Sequence, residues 1–142
     1  VDNVHLVNGR PDPNMISLDM GVIPMYNTIK QRLQSEFGRR ITEDQIDDII
    51  KGNRGFFKEE HVRLIMETAD AHVKSIFDEF REAGDDWLSS YVVFCGGGSI
   101  QLKQFIEKYA SDLTGRFIIV DDVKANSKGF EVFSRVLLKN RK

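Results

Sequence analysis

Apolar residues recur at helical spacing in the first half of the chain and predict three helices. The first begins after Asp19-Met20-Gly21 and ends at Gly38, a residue type common at helix C-termini. The second begins with the capping box of Thr42 and Gln45 and ends at Gly52. The third, over 59–81, is the longest helix of the chain. The residues predicted to face the core are Val22, Tyr26, Ile29, Leu33, Phe37, Ile46, Ile49, Ile50, Val62, Ile65, Met66, Ala69, Val73, Ile76, Phe77 and Phe80.

Short apolar or alternating runs predict strands on both sides of these helices. The partly alternating stretch Val1–Val7 and the return strand Met15–Leu18 flank the hairpin signal at residues 8–9, an Asn-Gly pair, and predict an antiparallel hairpin. Tyr91–Phe94 and Phe117–Val120 are each followed by a helical pattern, so we expect parallel strands covered by helices on both faces. A last helix is predicted from residue 125 to about 139. The core positions of the two later helices are Leu102, Phe105, Ile106, Tyr109, Phe130, Phe133, Val136 and Leu137.

The order of these elements indicates an α/β fold. We expect one partial domain over residues 1–142, with a small helical insertion at about 39–57. In parallel sheets, ligands lie at the carboxyl ends of strands, and Gly96 and Asp121-Asp122 both follow predicted strands. The sequence therefore predicts a binding site at this edge of the sheet.

The stretch over residues 91–100 carries the strongest chemical signal, because an apolar run breaks into Gly96-Gly97-Gly98-Ser99 and then into a helical pattern. Glycines let the main chain approach a ligand closely. The free amides and the positive dipole end of the following helix favour an anion or the polar edge of a sugar. The alternative is a tight strand-to-helix turn with Ser99 as a simple N-cap.

Composition narrows the classes of function. The 142 residues are 41% apolar and 30% charged, as in ordinary soluble domains, and the net charge of −2 gives no electrostatic reason to bind nucleic acid directly. The lone Cys95 excludes a disulfide framework and is predicted to be a small buried hydrophobe in a reducing cytoplasm.

No membrane-length apolar run or targeting leader is evident, so no membrane partner and a cytoplasmic location are expected. His5, His61 and His72 share no metal-ligand spacing.

Taken in order, these features resemble the second half of the actin-like ATPases, most closely the plasmid-partitioning ParM type, over nearly the whole chain. Leu18–Ile23 and Ile41–Gly52 are similar to that family's lobe over the adenine. Val93–Ser99 with Leu102 looks like its adenosine motif, and Ala125–Phe130 looks like its final Ala-Asn-x-x-Gly helix start. The resemblance implies the carboxy-terminal half of an actin-like, ribonuclease H-like fold.

The phosphate loops depart from the family pattern. An actin-like ATPase needs two Asp-x-Gly loops rich in small or hydroxylated residues, with acidic groups for the metal and the attacking water. Asp19-Met20-Gly21 is the only Asp-x-Gly sequence, and no hydroxyl follows it, so it is interpreted as a turn beside the nucleotide. The chain opens with Val1-Asp2, where the family's second phosphate loop commonly ends. We therefore expect the amino-terminal lobe and the strand carrying that loop to be missing from it.

Each site residue implied by the resemblance has a simpler structural alternative. Lys51 can be a solvated lysine that complements a helix C-terminus. Gly21 can belong to a plain turn, and Leu102 can be a core residue of its helix. Asp2 is a candidate remnant of phosphate or metal chemistry, or else a frayed carboxylate, and Asp121-Asp122 are interpreted as turn formers. The implied contacts to ATP or ADP, bound with Mg²⁺ in the complete protein, are Gly21, Lys51, Gly96, Gly97, Gly98, Ser99 and Leu102.

Three functions compete at this point. The first is the carboxy-terminal lobe of a filament-forming actin-like ATPase that moves plasmid DNA through a DNA-bound adaptor protein. This lobe would supply adenosine contacts and a self-association surface, and alone it would not hydrolyse ATP. The second is a non-enzymatic protein-binding or assembly module that retains the fold. The third, a lobe of a sugar kinase or chaperone-type ATPase, is disfavoured by the short helical stretch Thr42–Gly52.

Overall fold

The computed structural model describes residues 2–4, 6–7, 10–11, 16–83, 90–113, 116–129 and 131. The chain forms two compact units, Val1–Ile76 and Phe77–Lys142, in a mixed α/β composition. In chain order the elements are β1 (Asp2–Asn3), β2 (Leu6–Val7), β3 (Arg10–Pro11), β4 (Ile16–Ser17), α1 (Val22–Phe37), α2 (Glu43–Ile50), α3 (Glu59–Glu82), β5 (Val92–Phe94), α4 (Gly97–Gln101), α5 (Lys103–Tyr109), a 3-10 turn (Ser111–Leu113) and β6 (Phe117–Ile119). Residues 125–129 are again helical. In the described part of the chain, no helix has the length and apolar character needed to cross a membrane.

The described strands of the first unit form two short antiparallel pairs. β1 pairs with β4, so that Asp2 lies opposite Ser17. β2 pairs with β3, so that Leu6 lies opposite Pro11. The β1–β4 pair joins residues of the two predicted strands, 1–7 and 15–18, whereas β2 pairs with β3, a pairing that the sequence does not predict. The turn residues 8–9 and Met15 lie outside the described residues.

Helix α1 ends where the sequence predicts. Gly38 adopts φ 62° and ψ 17°, and its N–H donates to the carbonyl of Gln34. This left-handed cap is the conformation for which glycine has no Cβ penalty, which confirms the predicted stop. The buried face contains Met25, which the sequence analysis missed, together with Tyr26, Ile29 and Leu33. Phe37, predicted to be buried, is partly exposed because it lies in the last turn of the helix.

Helix α2 begins with the predicted capping box. The Gln45 N–H donates to Thr42 Oγ1 at 3.3 Å, and the Thr42 N–H donates to Gln45 Oε1 at 3.1 Å. The predicted stripe of three isoleucines is buried. A hydrogen bond of 2.6 Å from the Tyr26 hydroxyl to Asp47 Oδ1 joins α1 to α2.

Helix α3 confirms the predicted span almost to the residue. Its buried positions in the first unit follow the predicted apolar stripe, with the addition of Leu64. Thr68 is also buried, and its hydroxyl donates to the Leu64 carbonyl while accepting from Arg32 Nη1 at 2.9 Å. Met66 and Ile76, predicted as core, are half-buried.

In the second unit, β5 and β6 are parallel, as predicted, with Val93 opposite Ile118. The inward face of β5 carries Phe94, whose ring stacks on Phe77 of α3 with a centroid distance of 5.9 Å. On the other face, Val93 is 59% exposed and Ile118 is 61% exposed. Among the described residues, the helical packing is on the Phe94 side, since side chains alternate along a strand, and the predicted cover of the second face is not seen there.

The helical stretch after β5 is interrupted, whereas the sequence predicts one continuous helix. Leu102, with φ −98° and ψ 15°, separates α4 from α5. Leu102, Phe105 and Ile106 nevertheless face the core as predicted. The predicted last helix is described only at its start, and its core positions Phe130, Phe133, Val136 and Leu137 lie outside the described residues.

Candidate functional site

The candidate site lies where β5 and β6 end. The two strands run parallel, and the Val120 N–H donates to the Phe94 carbonyl at 2.8 Å, so the sheet pairing continues to the last residues of both strands. Gly96 follows β5, and Asp121 follows β6. The structure thus confirms that the glycine stretch and the aspartate turn share one edge of the sheet.

Gly96 has a backbone conformation that almost excludes other residues. Its φ of 97° and ψ of 171° fall in a region populated essentially by glycine. A Cβ at this position would also lie 3.1 Å from Asn126 Nδ2. The backbone angles therefore favour glycine here, and a larger residue would also push the Asn126 amide aside by a few tenths of an ångström.

The rest of the predicted glycine loop is already helical. Gly97 is the first residue of α4, and a Cβ built on it would lie 3.9 Å from Val123 Cγ1. Ser99 is not the N-cap, because it lies within the helix and its hydroxyl donates to the Cys95 carbonyl at 3.0 Å. The N-cap is Gly96, which has no side chain to offer, so the first amides of α4 at Gly97 and Gly98 have no side-chain cap.

A side-chain hydrogen bond joins the end of β5 to the helical residues 125–129. The Cys95 thiol donates to Asn126 Oδ1 at 3.0 Å. Cys95 is exposed, so its prediction as a buried hydrophobe is wrong. The physical reason is the alternation along the strand, which places Cys95 on the same open face as Val93.

Asp122 confirms the turn interpretation. Its Oδ1 accepts from the Lys124 N–H at 2.9 Å, and its Oδ2 accepts from Lys128 Nζ at 2.6 Å. The Lys128 side chain and then the Lys124 amide lower the pKa of Asp122, because both hydrogen bonds favour the carboxylate. Among the described residues, no three His, Cys, Asp or Glu side chains group where they could hold a metal ion.

Three predicted site residues lie in the first unit. Gly21 is the N-cap of α1 in an extended conformation, with no atom within 4 Å of a Cβ built there. Lys51 is the C-cap of α2, with an exposed side chain. Asp2 Oδ1 accepts a hydrogen bond from the Ser17 hydroxyl in the β1–β4 pair.

The turn before α1 is supported from α3. His72 Nε2 donates to the Met20 carbonyl at 3.1 Å, beside Gly21. Burial lowers the pKa of His72, and the backbone hydrogen bonds to Met20 and Gly21 oppose that shift. The spacing of the histidines indicates no metal site, and a contact across 52 residues leaves no local signal for His72 in the sequence.

The structure therefore brings together only some of the predicted site residues. Gly96, Gly97, Gly98 and Ser99 are grouped with Val123 and Asn126, which were not among the predicted contacts. Leu102 is 4% exposed and belongs to the core, as its structural alternative predicts. The resemblance to the Ala-Asn-x-x-Gly pattern was the sequence signal that could have indicated Asn126. No sequence signal indicated Val123 as part of the site.

A separate open groove of about 510 Å³ lies in the first unit. It is lined by Lys30, Gln31, Gln34, Ser35, Arg40 and Ile41. The Lys30 ammonium is already paired with Glu43 at 2.6 Å. The lining offers cationic and amide groups around an apolar floor, which suits binding and not acid–base chemistry.

Comparison with known proteins identifies the family. Residues 4–108 match the family described as archaeal actin homologue MreB-like, C-terminal, and this range is more than half of the chain. The chain belongs to this family. An MreB-like C-terminal domain is an actin-like carboxy-terminal lobe, as predicted at that coarse level. The match includes Gly96–Ser99 and Leu102 and ends before β6 and Asn126. No curated protein and no solved structure matches the chain.

Proposed function

We propose that this MreB-like domain is the carboxy-terminal lobe of a filament-forming, actin-like ATPase, and that it contributes adenosine contacts at the edge formed by Gly96 and Asn126. The observation that carries the proposal is the glycine-only backbone at Gly96, at the carboxyl end of a parallel strand. Membership in an actin-homologue family suggests the self-association into filaments.

The groups at this edge fit a nucleoside. The amides of Gly97 and Gly98 lie in an uncapped first turn and can donate to an acceptor. Val123 is an exposed apolar side chain beside Gly97, and it suits the flat face of a base or sugar. The Asn126 amide adds polar groups at the same place. These features together support nucleotide binding more than they support a plain turn.

The phosphates and Mg²⁺ belong to the complete ATPase in this proposal. The nucleotide supplies the transferable phosphoryl group, and the amino-terminal lobe would supply most of the charge stabilisation. Asp2 accepts from Ser17, and we derive no metal role for it. Gly21 and Lys51 are proposed as further nucleotide contacts, on the resemblance alone. A ParM-type role in plasmid segregation, a DNA-bound adaptor and a cytoplasmic location also stay proposals.

The proposal is tested by titrating the isotope-labelled chain with ATP and Mg²⁺ and following backbone amide resonances by NMR. We expect weak binding, with a Kd on the order of 1 mM, because a Kd of that size needs only about −4 kcal/mol. Resonances of Gly97, Gly98, Val123 and Asn126 should shift together. Absence of shifts at these residues at saturating nucleotide would overturn the adenosine assignment.

A matched pair of glycine variants locates the effect. Gly96→Ala should abolish the shifts. Alanine strains the backbone at the positive φ of this position, and its Cβ would push against the Asn126 amide. Gly55→Ala is the control, since Gly55 also has a positive φ of 54° but has no atom within 4 Å of the added Cβ. If Gly96→Ala binds nucleotide as well as the control, the Gly96 edge is not the site.

The second candidate function is a protein-binding or assembly module that does not use nucleotide. The observation that favours it is the open apolar face of the β5–β6 sheet, with Tyr91, Val93 and Ile118 exposed. In that case ATP would cause no resonance shifts, while sedimentation would show association that grows with protein concentration. The same two measurements therefore separate the two candidates.

A further inference from the structure

The hydrogen bond between Cys95 and Asn126 fixes how the asparagine amide is turned. Because the thiol donates to Oδ1 at 3.0 Å, the NH₂ group points the other way. Its nitrogen lies 3.1 Å from the position that a Gly96 Cβ would occupy. The amide nitrogen therefore fills the space above Gly96, at the end of β5.

Asn126 has donor capacity beyond this contact. An asparagine NH₂ carries two N–H groups, and Asn126 is an exposed residue on the first turn of helical residues 125–129. Only its oxygen is engaged by the thiol. The amide is thus oriented by one partner and free to recognise an acceptor with its nitrogen.

The surrounding charges indicate which part of a nucleotide this donor meets. Asp121 and Asp122 come shortly before Asn126, and the Asp122 carboxylate is held by Lys128. The two aspartates are offset in charge by Lys124 and Lys128, so this stretch carries no net positive charge to attract a phosphate. Val123, exposed beside Gly97, instead offers an apolar surface. An uncharged acceptor of a nucleoside fits this surface better than a phosphate oxygen.

We propose that Cys95 is a positioning residue, which holds the Asn126 amide so that its NH₂ group donates to an uncharged acceptor atom of a bound nucleoside. This inference rests on the proposed adenosine contacts and adds the atom that recognises the nucleoside. Asn126 is then the residue that touches the ligand, and Cys95 acts through it.

The test measures binding of two probes, adenosine and inorganic phosphate, to the full chain by NMR titration. Cys95→Ala removes the thiol and should weaken adenosine binding about three- to tenfold, the range expected for one hydrogen bond. Cys95→Ser should restore binding to within about twofold, because its hydroxyl donates to the same oxygen. Ser75→Ala, which removes a hydroxyl that donates within α3, is the control and should leave binding unchanged.

A double variant separates positioning from packing. If Cys95 acts through Asn126, Cys95→Ala combined with Asn126→Ala should bind adenosine no more weakly than Asn126→Ala alone. Phosphate binding should be the same in all variants. Additive losses, or equal losses for Cys95→Ala and Cys95→Ser, would overturn the positioning role. Weakened phosphate binding in the Asn126 variant would overturn the assignment to the nucleoside.

The side-chain amide resonances of Asn126 distinguish failure of this inference from failure of the proposed function. In the ligand-free protein their chemical shifts should be those of a fixed amide in the wild type and in Cys95→Ser, and should move to the values of a freely turning, solvent-exposed asparagine in Cys95→Ala. If the wild type binds no adenosine, the proposed function and the ligand assigned to Asn126 both fall, while these resonances still decide whether Cys95 orients the amide. Identical resonances in all three proteins would overturn the positioning.

Discussion

The helical region over 22–76 and the strand-end region over 90–129 differ in how they bury their apolar side chains. In the helical region, most apolar residues at helical spacing are buried, and Met25, Ile29 and Leu33 have no exposed surface, although Ile23 and Phe37 are exposed. In the strand-end region, apolar side chains such as Val93 and Ile118 face outward. The difference indicates that the first region is organised for stability and that the second keeps surface for a ligand or a partner.

Helix N-termini show the same contrast. The first amides of α2 are satisfied by the Thr42 capping box. By contrast, α1 and α4 begin at Gly21 and Gly96, and neither has a side-chain cap. These two glycine caps are also the ones that the family resemblance assigns to nucleotide contact. Uncapped amides are costly to leave without partners, so such helix starts are the natural places for a ligand.

The largest expected effect is on stability, and replacing one isoleucine in each region tests the difference in burial. Ile65 on α3 has 0% exposure, and Ile118 on β6 is 61% exposed. Ile65→Ala should lower the free energy of unfolding by about 2–5 kcal/mol, because it leaves a cavity among enclosed side chains. Ile118→Ala should cost less than about 1 kcal/mol. Denaturant titration followed by circular dichroism measures both values.

Equal losses for the two variants would break the comparison. They would show that another surface covers Ile118 in solution. Repeating the Ile118→Ala measurement at several protein concentrations would sharpen that result, because stabilisation by a partner copy grows with the logarithm of its concentration. The predicted outcome is a loss that does not change with concentration.

A smaller effect is expected at the hydrogen bond between α1 and α2. Tyr26 is buried, and its hydroxyl donates to Asp47 Oδ1 at 2.6 Å. Tyr26→Phe should lower the free energy of unfolding by about 1.5–3 kcal/mol, the range for hydrogen bonds to charged groups. Thermal unfolding of the variant beside the wild type measures the loss. A change below about 0.5 kcal/mol would mean that Asp47 finds equivalent partners in water.

The helical region was predictable because its signals are local. The capping box at Thr42 and the glycine stop at Gly38 each act within four residues, and apolar spacing located the buried isoleucines of α2. The misses lie within helices as well as at their ends. Met25 is buried although it was not predicted, Met66 and Ile76 are only half-buried, and Phe37 in the last turn of α1 is partly exposed.

The strand-end region was predictable only in outline. Parallel pairing and the shared edge of Gly96 and Asp121 followed from element order. The contact from Cys95 to Asn126 spans 31 residues. Spacing along the chain cannot report such contacts. Strand alternation could have indicated that Cys95 shares a face with Val93, but a short apolar run suggested burial on both faces.

The smallest expected effect concerns pH and the turn at Gly21. Burial lowers the pKa of His72, so the folded state resists a proton that the unfolded chain accepts below about 6.5. Stability should therefore fall as the pH drops through this value, and level off below the folded-state pKa. Asp122 does not contribute in this window, because its pKa lies below 3.8. Denaturant titrations at about pH 7.5 and 5.5 would measure the change, with His72→Gln as the comparison. The wild type should lose more stability than His72→Gln between the two pH values; equal losses would show that the half-buried imidazole at Met20 is protonated as readily in the folded protein as in the unfolded chain.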